Sequence, residues 1–195
     1  MLNNITSFTS EPEEVVLLNN NGQVIGRASK AKVHTRDTPL HYAFSVFLFN
    51  SRGQMLVQQR AWSKRTWPGI WSNACCGHPL PGETLDHAAQ RRLVEELNLD
   101  KMELTLALPE FRYRAEYLGV VENEICPVFI GISDAIPTPN PEEVVATDWI
   151  DWLNFVHGSE AYGHYSPWSK LEAEELHRSG LVDALLNSCQ LPMIH

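Results

Sequence analysis

The sequence predicts an α+β fold, a mixed β-sheet core flanked by a few helices. Three observations lead there. HYAFSVFLFN (41–50) is a nearly continuous apolar run of the kind that becomes a buried central strand. Strands also arrive in hairpins: VVLLN (15–19) and QVIGRA (23–28) flank the turn NNG, and FRYRAEYL (111–118) meets 120–132 across Gly119. Finally, Leu85, Ala89, Leu93 and Leu97 recur every fourth residue, the spacing of one helix face.

In chain order, residues 1–12 are polar and expected to be loose. The hairpin 15–28 comes next, then the central strand 41–50, which SRG turns into QMLVQQR (54–60). WSKRTWPGIWSNACCGHPLPG (62–82) is rich in Pro, Gly and Trp and long for a mere connection, so it is expected to carry function. Thr84 caps a helix running to about Asn98. In the hairpin that follows, Glu122 and Glu124 share one strand face, and Pro127, which has no N–H for a ladder, marks a bulge or an edge. TPNPEE (138–143) is a loop, and VVATDWID (144–151) leads into a short helix. Ser166–Pro167 reads as a cap with Pro at the first helical position. That last helix runs to about Leu186 and exposes Glu172, Glu174 and Glu175. With no repeats or low-complexity stretches, residues 1–195 read as one domain.

Hydrophobic residues make up 44% and charged residues 20%, a globular balance. Asp and Glu number 24 against 15 Lys and Arg, for a net charge of −9. That argues against nucleic acid or an acidic membrane as a general partner. An anionic ligand would need a local Lys/Arg cluster or a metal. The four cysteines, Cys75, Cys76, Cys126 and Cys189, form no disulfide framework, and adjacent cysteines seldom bridge, so a reducing compartment is expected. The first residues lack the basic start and apolar run of a secretory signal, and no stretch reaches the roughly 20 apolar residues of a membrane span. The expectation is a cytoplasmic protein, a monomer with a dimer as the alternative.

The 84–98 helix carries more than a core face. From Gly77 the spacing is G-x5-E-x7-R-R-L-V-E-E-L-N-L, through Glu83, Arg91, Glu95 and Glu96. Arg91 can pair with Glu95 and Arg92 with Glu96, four residues apart. Glu95 and Glu96 point about 100° apart around the helix, so one can meet an arginine while the other faces a cation. Alone, such a helix is most often a solvated face. The pattern resembles the Nudix box, G-x5-E-x7-R-E-U-x-E-E-x-G-U with U aliphatic. Gly77, Glu83, Arg91, Leu93, Glu95, Glu96 and Leu99 match; Arg92 stands where the box has Glu, and Asn98 where it has Gly. In Nudix enzymes these glutamates hold Mg²⁺ on a diphosphate. A positive charge at Arg92 argues against hydrolysis.

His34 and His41 flank the start of the central strand, His78 opens the helix loop, and Glu122 and Glu124 share a strand face. Three imidazoles and two carboxylates suit an octahedral Mn²⁺, Fe²⁺ or Zn²⁺, although spacing alone does not bring them together. His87, His157, His164, His177 and His195 read only as packed or solvated residues.

HTRDTPLHYAFSVFLFN, SNACCGHPLPGE, FRYRAEYLGVVENEICPVF and HYSPW together resemble the type 1 isopentenyl-diphosphate isomerases, from about Val15 to Leu186. That family uses the Nudix fold for an isomerisation, with a degenerate box. The resemblance implies interconversion of isopentenyl and dimethylallyl diphosphate through a tertiary carbocation, supplying isoprenoid biosynthesis. It implies that Cys76 and Glu124 handle the protons from opposite faces. Glu124 would also ligate Mn²⁺ or Zn²⁺ with Glu122, His34, His41 and His78. Tyr113 would hydrogen-bond the Glu124 carboxyl, and Trp168 would turn its π face to the cation. Lys30, Arg60, Lys64 and Arg92 would hold the diphosphate, with Mg²⁺ on Glu96. The rivals are a Nudix diphosphate hydrolase acting on a nucleotide-type substrate and a non-catalytic module built round a structural ion.

Overall fold

A computed structural model describes residues 13–158 and 164–190. The expected looseness of residues 1–12 and the reading of His195 lie outside them, as does the Cys189 side chain. The elements are β1 (Glu14–Leu18), β2 (Val24–Ser29), α1 (Lys30–Val33), β3 (His41–Tyr42), β4 (Phe44–Phe49), β5 (Gln54–Arg60), β6 (Trp71–Ser72) and β7 (Cys75–Gly77). They continue with α2 (Leu85–Leu97), β8 (Leu104–Leu108), β9 (Arg112–Tyr117), β10 (Val120–Ile125), β11 (Val128–Ile132), β12 (Val144–Asp151), α3 (Trp152–Val156), α4 (Pro167–Ser179) and α5 (Leu181–Gln190). The α+β class is as expected.

The strands divide between two sheets, ordered β2-β1-β3-β10-β9 and β12-β5-β4-β11-β8, with β6 attached to β5 and β7 to β4. Here the structure corrects two readings. Residues 41–50 and 120–132 are not single strands; each breaks and changes sheet, at Ala43 and at Cys126–Pro127. Pro127 has no N–H to continue a ladder, so β10 ends just before it. The breaks lie side by side, with Ala43 N–H donating to Ile125 O and Ser45 N–H to Pro127 O at 2.9 and 3.1 Å. β3 pairs parallel with β10 in one sheet, and β4 pairs parallel with β11 in the other. The site lies where the sheets part.

The second sheet is covered on both faces. Phe44, Val46 and Leu48 of β4 pack with Ala89, Leu93 and Leu97 of α2, while Phe47 and Phe49 pack with Trp152, Phe155 and Leu176 of α3 and α4. That is why β4 reads as a nearly continuous apolar run, interrupted at Ser45. Phe47 is fully buried, its ring edge-on to Trp152 at 6.3 Å. Phe47→Ala is expected to lower unfolding free energy by about 3–5 kcal/mol, read as a drop in the denaturant midpoint.

α2 begins where expected, with the Thr84 side chain accepting from His87 N–H. It ends at Asn98, whose φ of 52° is left-handed. Asn, like Gly, tolerates that conformation at a helix end, so Asn98 satisfies the geometry that the Nudix box meets with Gly. The final helix is two helices, not one. Gly180, at φ 70°, terminates α4 and α5 starts immediately after. The reading of Glu172 as exposed is also wrong: it is fully buried, on the same face as Trp168 and Leu176. β6, β7, β8 and α1 had no sequence signal strong enough to place them. Among the described residues, no helix is long and apolar enough to cross a membrane.

Candidate active site and metal centre

His41 sits opposite Glu124 in the β3–β10 pairing, and Glu122 lies two residues along the same face. His34 comes from the end of α1 and His78 from just beyond β7. The resulting ligand atoms of His34, His41, His78, Glu122 and Glu124 all lie within 4.8 Å of one another. His41 Nε2 is 3.3 Å and His78 Nε2 3.1 Å from Glu124 Oε1, and the two Nε2 atoms are 3.2 Å apart. His41 Nδ1 lies 2.9 Å from Pro39 O, which can only accept, so Nδ1 carries a proton and Nε2 is turned toward the cluster.

The donor set fits a metal. His34 Nε2 and Glu122 Oε2 are 3.0 Å apart, both buried, and neither makes a hydrogen bond. Lone pairs gathered around one point without donors to match them are what a cation would satisfy. Burial alone would raise the Glu124 pKa, but the hydrogen bonds with His41 and His78 hold it well below the usual carboxylate range. Burial pushes His78 down to about 4 despite Glu124, leaving it neutral as a ligand must be. His41 is also buried, but its hydrogen bond to Glu124 outweighs that and its pKa is raised.

Cys76 faces this cluster. β7 wedges against β4 with Cys76 opposite Ser45, and alternation sends Cys75 into the α2 core instead. The Cys76 thiol donates to Asn73 Oδ1 at 3.1 Å, Trp168 Nε1–H donates to Sγ at 3.3 Å, and Ser45 Oγ is 3.4 Å away. Burial pushes the thiol up to about 12 against the pull of those hydrogen bonds, so it rests protonated. Tyr113 pairs across from Glu124, and burial followed by the charges of Glu124 and Glu122 keeps its hydroxyl neutral. An aromatic wall completes the site: Trp168 lies 5.8 Å from Tyr113, 31° from parallel, and edge-on to Trp67 at 5.1 Å.

A cavity of 450 Å³ joins these groups to a basic mouth. Cys76, His78, Tyr113, Glu122, Glu124 and Trp168 line its inner end. Lys30, Arg60, Lys64 and Arg92 line its mouth with Arg65, which the sequence reading had not singled out. Lys30 pairs with Glu13 and Lys64 with Glu143. Arg92 donates to Glu96 Oε1 at 2.6 Å, Glu95 Oε2 at 2.9 Å and Glu143 Oε2 at 3.1 Å. Arg60 donates from Nη2 to Thr66 O at 3.1 Å, and its buried Nε has no partner.

Glu96 stands apart from the five-residue cluster. Arg92 holds its Oε1 and Gln58 Nε2–H donates to its Oε2 at 3.1 Å, within a buried pocket. Glu95 and Glu96 therefore both meet arginines. Arg91 forms a two-pronged pair with Glu83, both contacts at 2.8 Å, and clamps the loop carrying Cys76 and His78 to α2. Trp67, in the Trp-rich loop expected either to wall the pocket or only to pack it, stands against Trp168. Ser45, Asn73 and Glu143 also shape the site and were not foreseen, and no spacing in the sequence marks them.

The NUDIX domain model matches residues 39–168. A protein of Saccharopolyspora erythraea named isopentenyl-diphosphate Delta-isomerase is 55% identical over 168 residues, covering 84% of this chain and 86% of that one. This chain belongs to the isopentenyl-diphosphate Delta-isomerase branch of the Nudix family. A Mycolicibacterium vanbaalenii isomerase of the same name is 46% identical over 174 residues, covering 89% of this chain and 96% of its own length. Among solved structures, a Deinococcus radiodurans protein, DR0079, superposes with a TM-score of 0.64 at 23% identity, covering 86% of this chain and 99% of that one. That likeness speaks for the Nudix fold alone.

Proposed function

We propose that this chain interconverts isopentenyl diphosphate and dimethylallyl diphosphate by proton addition and removal. One observation carries the reading: the Cys76 thiol and the Glu124 carboxylate line the same small cavity, one neutral and one anionic. An unactivated alkene is a feeble base, and its protonation gives a tertiary carbocation that water would trap. The site therefore needs a donor and an acceptor on opposite faces in a dry, electron-rich hollow. The Cys76 S–H supplies the donor for one direction of the reaction and the Glu124 carboxylate the acceptor, with roles exchanged for the reverse. Trp168 and Tyr113 face the carbocation, a cation–π contact worth about 2 kcal/mol or more when desolvated. The Tyr113 hydroxyl steadies the Glu124 carboxyl.

His34, His41, His78, Glu122 and Glu124 would hold Mn²⁺ or Zn²⁺, which would fix the Glu124 carboxylate and make its protonated form a stronger acid. At the mouth, Lys30, Arg60, Lys64 and Arg92 grip the diphosphate, and the carboxylates now paired with Lys30, Lys64 and Arg92 must yield to it. The unpartnered Arg60 Nε is a donor already waiting there. Mg²⁺ would accompany the diphosphate on Glu96 once Arg92 turns its guanidinium to the anion. A working thiol suits a reducing cytoplasm, and we read residues 1–195 as one domain acting on a small molecule.

Incubation with isopentenyl diphosphate, Mg²⁺ and Mn²⁺ is expected to yield dimethylallyl diphosphate with no release of phosphate or pyrophosphate. Release without any isomer would overturn the proposal in favour of a Nudix hydrolase.

A further inference from the structure

Beyond the residues that line the cavity, next to Cys126 and Ser45, lies a carboxyl that the mechanism above does not use. Glu172 of α4 is fully buried. Among the described residues no ion pair reaches it, and its Oε2 has no hydrogen-bond partner. Its Oε1 accepts from the Cys126 thiol at 3.7 Å, and the Ser45 hydroxyl faces the same carboxyl. A buried carboxylate without a counter-charge is strongly disfavoured, so Glu172 holds its proton. Burial and the nearby Glu124 charge both push its pKa well above the ordinary value.

Ser45 sits between Glu172 and the reacting thiol. Its Oγ is 3.4 Å from Cys76 Sγ and 3.5 Å from Cys126 Sγ. A hydroxyl has one proton to give, and its direction is set by whatever donates to its oxygen. An ionised Glu172 would draw the Ser45 proton to itself. A protonated Glu172 donates to Ser45 Oγ, and the Ser45 proton is then free to point at Cys76. When the thiol transfers its proton to the alkene, the S–H bond breaks and sulfur keeps the electron pair. Trp168 Nε1–H is already in place to donate to that sulfur. Ser45 O–H would be the second donor.

We propose that Glu172 is a positioning residue: its uncharged carboxyl donates to Ser45 Oγ and so turns the Ser45 hydroxyl onto Cys76 Sγ, where it stabilises the thiolate formed during proton transfer. This rests on the isomerase reading for its catalytic consequence, but not for its geometry.

The test compares wild type with E172Q, E172M and S45A, all checked for thermal stability and metal content. Gln keeps an N–H donor at the same place, whereas Met keeps the volume without one. E172M is expected to lower kcat at least about tenfold, as for loss of a hydrogen bond to a charged acceptor, with KM unchanged. E172Q should stay close to wild type, and S45A should match E172M. The E172M/S45A double variant should be no worse than either single one, because both remove the same interaction. Cys76 alkylation by iodoacetamide at one fixed pH, followed by peptide mass mapping, should slow in E172M and S45A but not in E172Q. Wild-type kcat and alkylation in folded E172M would overturn the proposal, as would additive losses in the double variant. A folded E172Q as impaired as E172M would overturn it too, since the carboxyl proton itself would then be needed. If wild type moves no double bond, the isomerase reading fails, and the alkylation rates still decide the role of Glu172.

Discussion

Cys76→Ala is expected to give a folded, metal-binding protein whose double-bond migration is slower by about 10⁴-fold, the upper range for loss of one positioned proton-transfer group. Folding should survive because the side chain is only partly enclosed by the core and its neighbour Cys75, not Cys76, packs against α2. The five-residue cluster does not include the thiol, so metal content should match wild type. The measurement is turnover of isopentenyl diphosphate beside a metal assay on the same preparation. An Ala variant that still isomerises at the wild-type rate would remove Cys76 from the reaction. A variant in which nothing changes except folding would favour the structural-ion module.

Glu124→Gln is expected to fail in two ways at once. Gln cannot take up a proton at this position, so the rate should fall by about 10²–10⁴-fold. The charge that sits 3.1 Å from His78 Nε2 and 3.3 Å from His41 Nε2 also disappears. Losing a first ligand should weaken metal binding by at least the roughly 10–100-fold seen when a supporting partner is lost. Chelator competition with Mn²⁺ reads the second effect, and turnover at saturating Mn²⁺ isolates the first. Full activity under that saturation would show that Glu124 is a ligand only. Because Cys76→Ala should spare the metal and Glu124→Gln should not, the two variants separate proton handling from ion binding.

Much of this site was legible in local pattern. The period-2 rule put Glu122 and Glu124 on one face, and they are found there. The i,i+4 rule paired Arg91 with Glu95 and Arg92 with Glu96, and both pairs form. The cap at Thr84 and the one at Ser166 are as read. What local pattern missed came from long-range packing. Glu172, Glu174 and Glu175 look alike in sequence, but only Glu172 falls beneath Ser45, on the Trp168 face. Asn73 and Ser45 are ordinary polar residues until β7 is laid against β4 and their side chains meet the Cys76 sulfur. The ion pairs of Lys64 and Arg92 with Glu143 join residues too far apart in sequence for any spacing rule.

The sequence by itself determined the α+β class, the capped helix that carries the arginines and glutamates, and the residue types able to bind a cation and move a proton. These follow from short-range periodicity and from the chemistry of individual side chains. Only the tertiary structure decided that three histidines and two glutamates from four separate segments converge on one point, and that a thiol shares their hollow. Convergence depends on the crossing of two sheets at Ala43 and Pro127, and that crossing is fixed by hydrogen bonds between strands about eighty residues apart, beyond the reach of local pattern.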